Sequence, residues 1–130
     1  EFKQMDGDPQ QKQRRLQFAR QLAQQRIASS VPKADVIVTN PEHLSVALQW
    51  DQDTMNAPVV VAMGADHLAM RIRQLAMQHS IPILERKPLA RALYARVRVG
   101  DEIPVDLYQA VSEVLSFVYR MNGRMPAQTG

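Results

Sequence analysis

Ala34-Asp35-Val36-Ile37-Val38-Thr39-Asn40-Pro41-Glu42-His43-Leu44-Ser45-Val46-Ala47-Leu48-Gln49-Trp50 holds two apolar runs of different character with a turn between them. Val36, Ile37 and Val38 are consecutive β-branched residues, whereas Leu44, Val46, Leu48 and Trp50 alternate with Ser45, Ala47 and Gln49. Branching at Cβ suits the pleated backbone, and a period of two puts one set of side chains on one face. Both runs predict strands. Thr39 to His43 joins them, and Asn40-Pro41 is a turn initiator because proline fixes φ and carries no N–H.

Downstream, Asp51 to Pro58 is polar and rich in turn formers, and Val59-Val60-Val61-Ala62-Met63 is continuously apolar, which predicts a strand buried on both faces. Gly64 ends it. Leu68, Ile72, Leu75, Ala76 and His79 follow at helical spacing, Pro82 forbids continuation, and Ile81 to Leu84 reads as a further strand. Strand, helix and strand make a βαβ unit, expected parallel and right-handed. Pro88 opens a helix with Leu89, Ala92 and Leu93 on one side, and Gly100 is expected to close it. Leu107, Ala110, Val111, Val114, Leu115 and Val118 form a core-facing stripe on a last helix that Asn122-Gly123 ends. Upstream, Asp8-Pro9 reads as an N-cap and first helical position, and Leu16, Ala19, Ala23 and Ile27 give a narrow stripe as far as Ala28. The predicted fold is α/β, a small mixed central β-sheet of about four strands surrounded by helices and preceded by a long N-terminal linker helix. Residues 1–33 are expected to form the basic linker, 34–122 the compact domain and 123–130 a flexible tail.

The chain has 130 residues, 45% of them hydrophobic and 22% charged, enough for one modest core and outside the range of disordered or collagen-like chains. No apolar run reaches membrane-spanning length, and the opening residues lack a signal-peptide pattern. The missing initiator Met leads to the expectation that a longer parent protein precedes this piece. There is no cysteine, hence no disulfide framework, thiol nucleophile or Cys-based metal site. Residues 1–33 carry +4 and the remaining 97 sum to −1, so the basic excess sits at one end. Aromatic residues are only 5%, too few for a stacking platform, and nucleic acid is not expected as a partner. The basic helix is either a solvated face or a semi-rigid connector against another surface; five Lys or Arg between Lys12 and Arg26 suit anionic lipid.

Candidate chemistry is sparse. A lone Gly64 is no phosphate loop, and His43, His67 and His79 lack the spacing of a zinc pair. No serine sits in a nucleophile elbow. No cofactor and no metal are expected. Asn40-Pro41 stands out because proline closes the usual deamidation route: its nitrogen cannot attack the Asn40 amide. The reverse attack stays open. The Asn40 side-chain nitrogen can add to its own backbone carbonyl, form a succinimide and expel Pro41, cutting the chain between residues 40 and 41. A turn that keeps these atoms together supplies proximity, and His43 is placed to move the proton. The residues alone leave open a plain Asn-Pro turn beside a surface histidine.

Ala34 to His43 resembles the self-cleaving Asn-Pro-Thr-His region of the FlhB/YscU family of type III export-apparatus proteins. Gly7-Asp8-Pro9, Pro88-Leu89-Ala90-Arg91-Ala92-Leu93-Tyr94 and Gly100-Asp101-Glu102-Ile103-Pro104 resemble further family signatures, in the same order. Gly64-Ala65-Asp66 with Arg71-Ile72-Arg73 is closer to the flagellar branch than to the virulence-injectisome branch. The resemblance implies the C-terminal cytoplasmic domain of an inner-membrane protein, on the cytoplasmic face, that cleaves itself once with Asn40, Pro41 and His43 as the reacting set. Glu42 departs from the usual Thr. It further implies a switch of export from rod and hook to filament substrates. The implied partners are export substrates and their chaperones, a hook-length control protein and other components of the apparatus. The alternative functions are a non-cleaving docking domain for export substrates and a nucleic-acid module using the basic arm.

Overall fold

The structure, a computed structural model, describes residues 8–122; the expected tail at 123–130 and the Gly7 signature position lie outside them. The first helix, α1 (Pro9–Ser30), starts where Asp8 accepts from the N–H groups of Gln10 and Gln11 at 3.0 and 3.4 Å, with Pro9 at the first helical position. Every residue from Pro9 to Gln21 is exposed, Phe18 at 62%. Only the final turns of α1 reach the core, through Ile27, and a short 3₁₀ turn (Val31–Lys33) follows with Val31 fully buried.

Among the described residues four strands form one sheet: β1 (Val36–Asn40), β2 (Leu44–Gln49), β3 (Val59–Ala65) and β4 (Ile83–Glu85), in spatial order β3-β2-β1-β4. β1 pairs antiparallel with β2 from Val36↔Leu48 to Asn40↔Leu44, and parallel with β4 from Ile37↔Ile83 to Thr39↔Glu85. Helices α2 (His67–Gln78), α3 (Lys87–Arg96) and α4 (Tyr108–Met121) complete the fold. The sheet is covered on both sides. Val36, Val38, Val46, Leu48 and Val60 pack against Leu89, Leu93, Val111, Val114 and Val118 of α3 and α4. Ile37, Ala47 and Ala62 face the other way, toward Ile27, Ile72, Leu75 and Ala76 of α1 and α2. The mixed α/β sheet with surrounding helices matches the fold expected from the sequence. Among the described residues no helix is long and apolar enough to cross a membrane.

Two local expectations change. The βαβ strands β3 and β4 do run the same way, but β2 and β1 lie between them. β1 and β2 are buried on both faces, and the edge strand β3 also reaches both cores, Val60 and Met63 on one side and Val61 and Ala62 on the other, although only Val60, Ala62 and Gly64 are buried and its other residues are half-buried. A register shift at Ala47/Leu48 leaves Val61 without a partner on β2, which lets Val60 and Ala62 serve opposite faces. Gly100 does not close a helix. α3 already ends at Arg96, with Val97 extended, and Gly100 (φ 96) is the third residue of a turn closed by Asp101 N–H on the Arg98 carbonyl. That turn covers the outer edge of β3: Gly100 N–H donates to the Val60 carbonyl at 2.7 Å and Val60 N–H to that of Asp101 at 3.0 Å.

Candidate functional site

The turn between β1 and β2 begins at Asn40, which is half-buried, and Pro41, Glu42 and His43 are exposed. His43 N–H closes it by donating to the Asn40 carbonyl oxygen at 3.0 Å. Proline at the second place and a positive φ of 73 at Glu42 in the third give the φ pattern of a type II turn, whose third place ordinarily takes Gly or Asn. A glutamate there holds the backbone in a region that costs of order 1–3 kcal/mol for residues with a side chain. The bond between Asn40 and Pro41 thus lies inside a tight, strained turn. Its carbonyl oxygen already receives one N–H, the kind of donor that stabilises negative charge when a nucleophile adds to the carbon.

The segment before the turn is held firmly. Val36, Ile37 and Val38 are fully buried, and Thr39 is buried apart from 3% of its surface. Arg86 N–H donates to the Thr39 carbonyl at 2.9 Å, and Ile37 N–H to that of Pro82 at 2.9 Å. The segment after it is anchored by Ser45, whose buried Oγ donates to the Ala69 carbonyl at 2.9 Å and ties β2 to α2.

Asn40, Pro41 and His43 therefore share one turn, joined by the hydrogen bond between the first and last of them. Spacing alone did not reveal a fourth residue in contact with them. Asp66, at the junction of β3 and α2, donates its N–H to the His43 carbonyl at 2.8 Å and has Oδ1 3.5 Å from His43 Nδ1. The triplet Gly64-Ala65-Asp66 was the available signal, together with an aspartate at a strand-to-helix joint. A Cβ on Gly64 would fall 2.6 Å from the Leu68 Cβ, so glycine is what lets β3 and the first turn of α2 meet this closely. His67 and His79 are exposed at the two ends of α2, and no group of three metal-ligating side chains occurs among the described residues. At the far end of α3, the Arg96 guanidinium makes two 2.8 Å hydrogen bonds to Asp106 and holds that carboxyl below the ordinary carboxylate range.

A family model described as the FlhB HrpN YscU SpaS family matches residues 1–118. The flagellar biosynthetic protein FlhB of Salmonella typhimurium is 53% identical over 121 residues, covering 93% of this chain and 32% of that protein. The crystal structure of the cytoplasmic domain of FlhB from Shewanella putrefaciens is similar with a TM-score of 0.72 at 40% identity, over 78% of this chain and 81% of that one. An EscU C-terminal domain carrying an Asn→Ala substitution is similar with a TM-score of 0.69 at 32% identity, over 71% of this chain and 92% of that one. The chain spans about a third of the length of the curated relatives it matches.

Proposed function

Because the chain belongs to the FlhB HrpN YscU SpaS family, we propose that it is the cytoplasmic domain of a flagellar export protein and that it cuts itself once, between Asn40 and Pro41. The observation that carries this reading is the turn itself: an Asn-Pro step, strained at Glu42, whose carbonyl oxygen accepts the His43 N–H at 3.0 Å. In the proposed reaction the Asn40 Nδ2 adds to the Asn40 carbonyl carbon. The developing charge rests on the oxygen that His43 N–H already meets. The imidazole of His43 takes the proton from Nδ2 and passes it, directly or through water, to the Pro41 nitrogen as the C–N bond breaks. The products are a succinimide at residue 40 and a free secondary amine at Pro41. A half-life of about ten minutes corresponds to a barrier of about 21 to 22 kcal/mol, within reach of proximity and one proton carrier. This is a single intramolecular turnover.

The cut does not release a loose peptide in this account. β1 lies inside the sheet between β2 and β4, with three fully buried residues each contributing about 1.5–3 kcal/mol of apolar burial. What changes is the turn, where one closed loop becomes two free ends beside α2. That change is the switch by which the export apparatus moves from rod and hook to filament substrates. Export substrates, their chaperones and a hook-length control protein are the partners that would read it, at the cytoplasmic face of the inner membrane. The exposed basic residues of α1, Lys12, Arg14, Arg15, Arg20 and Arg26, suit anionic lipid, at about 1 kcal/mol per well-placed charge. Salt-insensitive binding to anionic liposomes would contradict that contact.

The role of the cut is tested in cells with the Asn40→Ala chain in place of the natural one. The expected result is a whole protein with export arrested on hook-type substrates. Normal filament export from an uncut protein would show that the cut is not the switch.

A further inference from the structure

Asp66 adopts φ 52 and ψ −108, a backbone conformation that residues with a side chain rarely take. Aspartate at a helix start ordinarily turns its carboxylate onto the N–H groups of the first turn, yet Asp66 makes no such bond to α2. Its carbonyl accepts the Met70 N–H of α2 at 3.0 Å, but the N–H and the carboxylate face His43: the N–H donates to the His43 carbonyl at 2.8 Å, and Oδ1 lies 3.5 Å from Nδ1. Glycine would fit this backbone with less strain, so local geometry does not account for an aspartate. The close approach of β3 and α2 at Gly64 keeps the residue in place.

We infer that Asp66 is a positioning residue for His43, holding its backbone by a hydrogen bond and facing its exposed ring with a carboxylate 3.5 Å from Nδ1 that biases the imidazole toward the tautomer with its proton there. This rests on the cleavage reading above. A carboxylate facing Nδ1 favours a proton there, which leaves the Nε2 lone pair free. Nε2 then accepts the proton from Asn40 Nδ2 and returns it to the departing Pro41 nitrogen, so the imidazole ends the cycle as it began. Without the carboxylate the neutral ring is free to place its proton on Nε2, where it cannot accept one. The grip on the His43 carbonyl serves the same end, because His43 N–H is the group that meets the Asn40 oxygen.

The test uses the full chain and the variants Asp66→Asn and Asp66→Gly, both of which tolerate positive φ and lack the carboxylate. Cleavage is followed by mass under denaturing conditions, and circular dichroism confirms the fold. The expected result is a rate about tenfold lower in both variants, with partial recovery in Asp66→Glu. In parallel, the ¹⁵N shifts of His43 are read in alkaline buffer in the uncleavable Asn40→Ala background. They should report an Nδ1-protonated ring that shifts toward Nε2 when Asp66→Asn is added. Cleavage within twofold of the parent, or a tautomer indifferent to Asp66, overturns the proposal. A parent chain that stays whole would instead overturn the cleavage reading, while the ¹⁵N shifts still decide whether Asp66 holds the ring.

Discussion

In β1, Val36, Ile37 and Val38 have no exposed surface, lie between two neighbouring strands and send side chains into both cores. In the turn that follows, Pro41, Glu42 and His43 are exposed and Glu42 sits at positive φ. Only Thr39 and Asn40 lie between these two states. Burial and ladder bonds hold the strand without any help from the peptide bond after Asn40. The turn adds strain and a nucleophile but almost no burial. The bond that the proposed cyclisation would break is therefore one that the fold can lose.

The largest expected effect on this contrast is Asn40→Ala, which removes the nucleophile and leaves β1 intact. Cleavage should slow by on the order of a thousandfold or more, seen as an uncut chain after days, with an unchanged circular dichroism spectrum. The opposite half is attacked by Ile37→Ala, which should cost about 2–5 kcal/mol in urea unfolding of the uncleavable chain. In the cut chain the same substitution should release residues 1–40 at lower urea than in the parent. If it does not, β1 is not what holds the pieces together. Gly64→Ala drives a methyl toward Leu68 at the joint under the turn and should cost about 1–3 kcal/mol, read as a lower Tm.

Glu42→Gly sharpens the comparison by removing strain without touching the reacting atoms. It should stabilise the uncut chain by about 1 kcal/mol and slow cleavage about fivefold, whereas Glu42→Thr, β-branched at positive φ, should do the reverse. A faster glycine variant would show that turn strain does not drive the reaction. The smallest effect belongs to a site remote from both halves. Arg96 lowers the Asp106 carboxyl, so that pair's contribution is complete above the ordinary carboxylate range and fades as pH falls through the lowered folded value. Both groups are exposed, so Asp106→Asn should leave cleavage unchanged and alter only the acid end of a Tm-against-pH curve.

Much of the fold was legible because each of its main signals is local. The β-branched run, the alternation in Leu44 to Leu48, the Asp8-Pro9 cap and the stripe on α4 all record their own backbone period. The order β3-β2-β1-β4 was not, since nothing in Val59 to Leu84 states which edge of the sheet β4 will join. β3, read as buried on both faces from its continuous apolar run, does reach both cores, and its edge position leaves every second residue half-buried. Gly100 misled because glycine marks both helix ends and type II turns, and only the pairing with Val60 distinguishes them. At the candidate site, Asn40, Pro41 and His43 are neighbours in sequence and their chemistry could be argued from residue types. Asp66 is far along the chain, and its approach to His43 depends on how β3 turns into α2. The exposure of α1 from Pro9 to Gln21 was half legible, as a stripe too narrow to bury much.

The most direct test of self-cleavage is the mass of the purified chain under denaturing conditions, followed over time beside its Asn40→Ala variant. Cyclisation predicts two products, residues 1–40 and 41–130. Their masses sum to that of the 14.7 kDa chain while the succinimide lasts and to one water more after it opens, and the variant yields neither. A parent chain that stays whole, or one cut with the variant cut equally, would contradict the account.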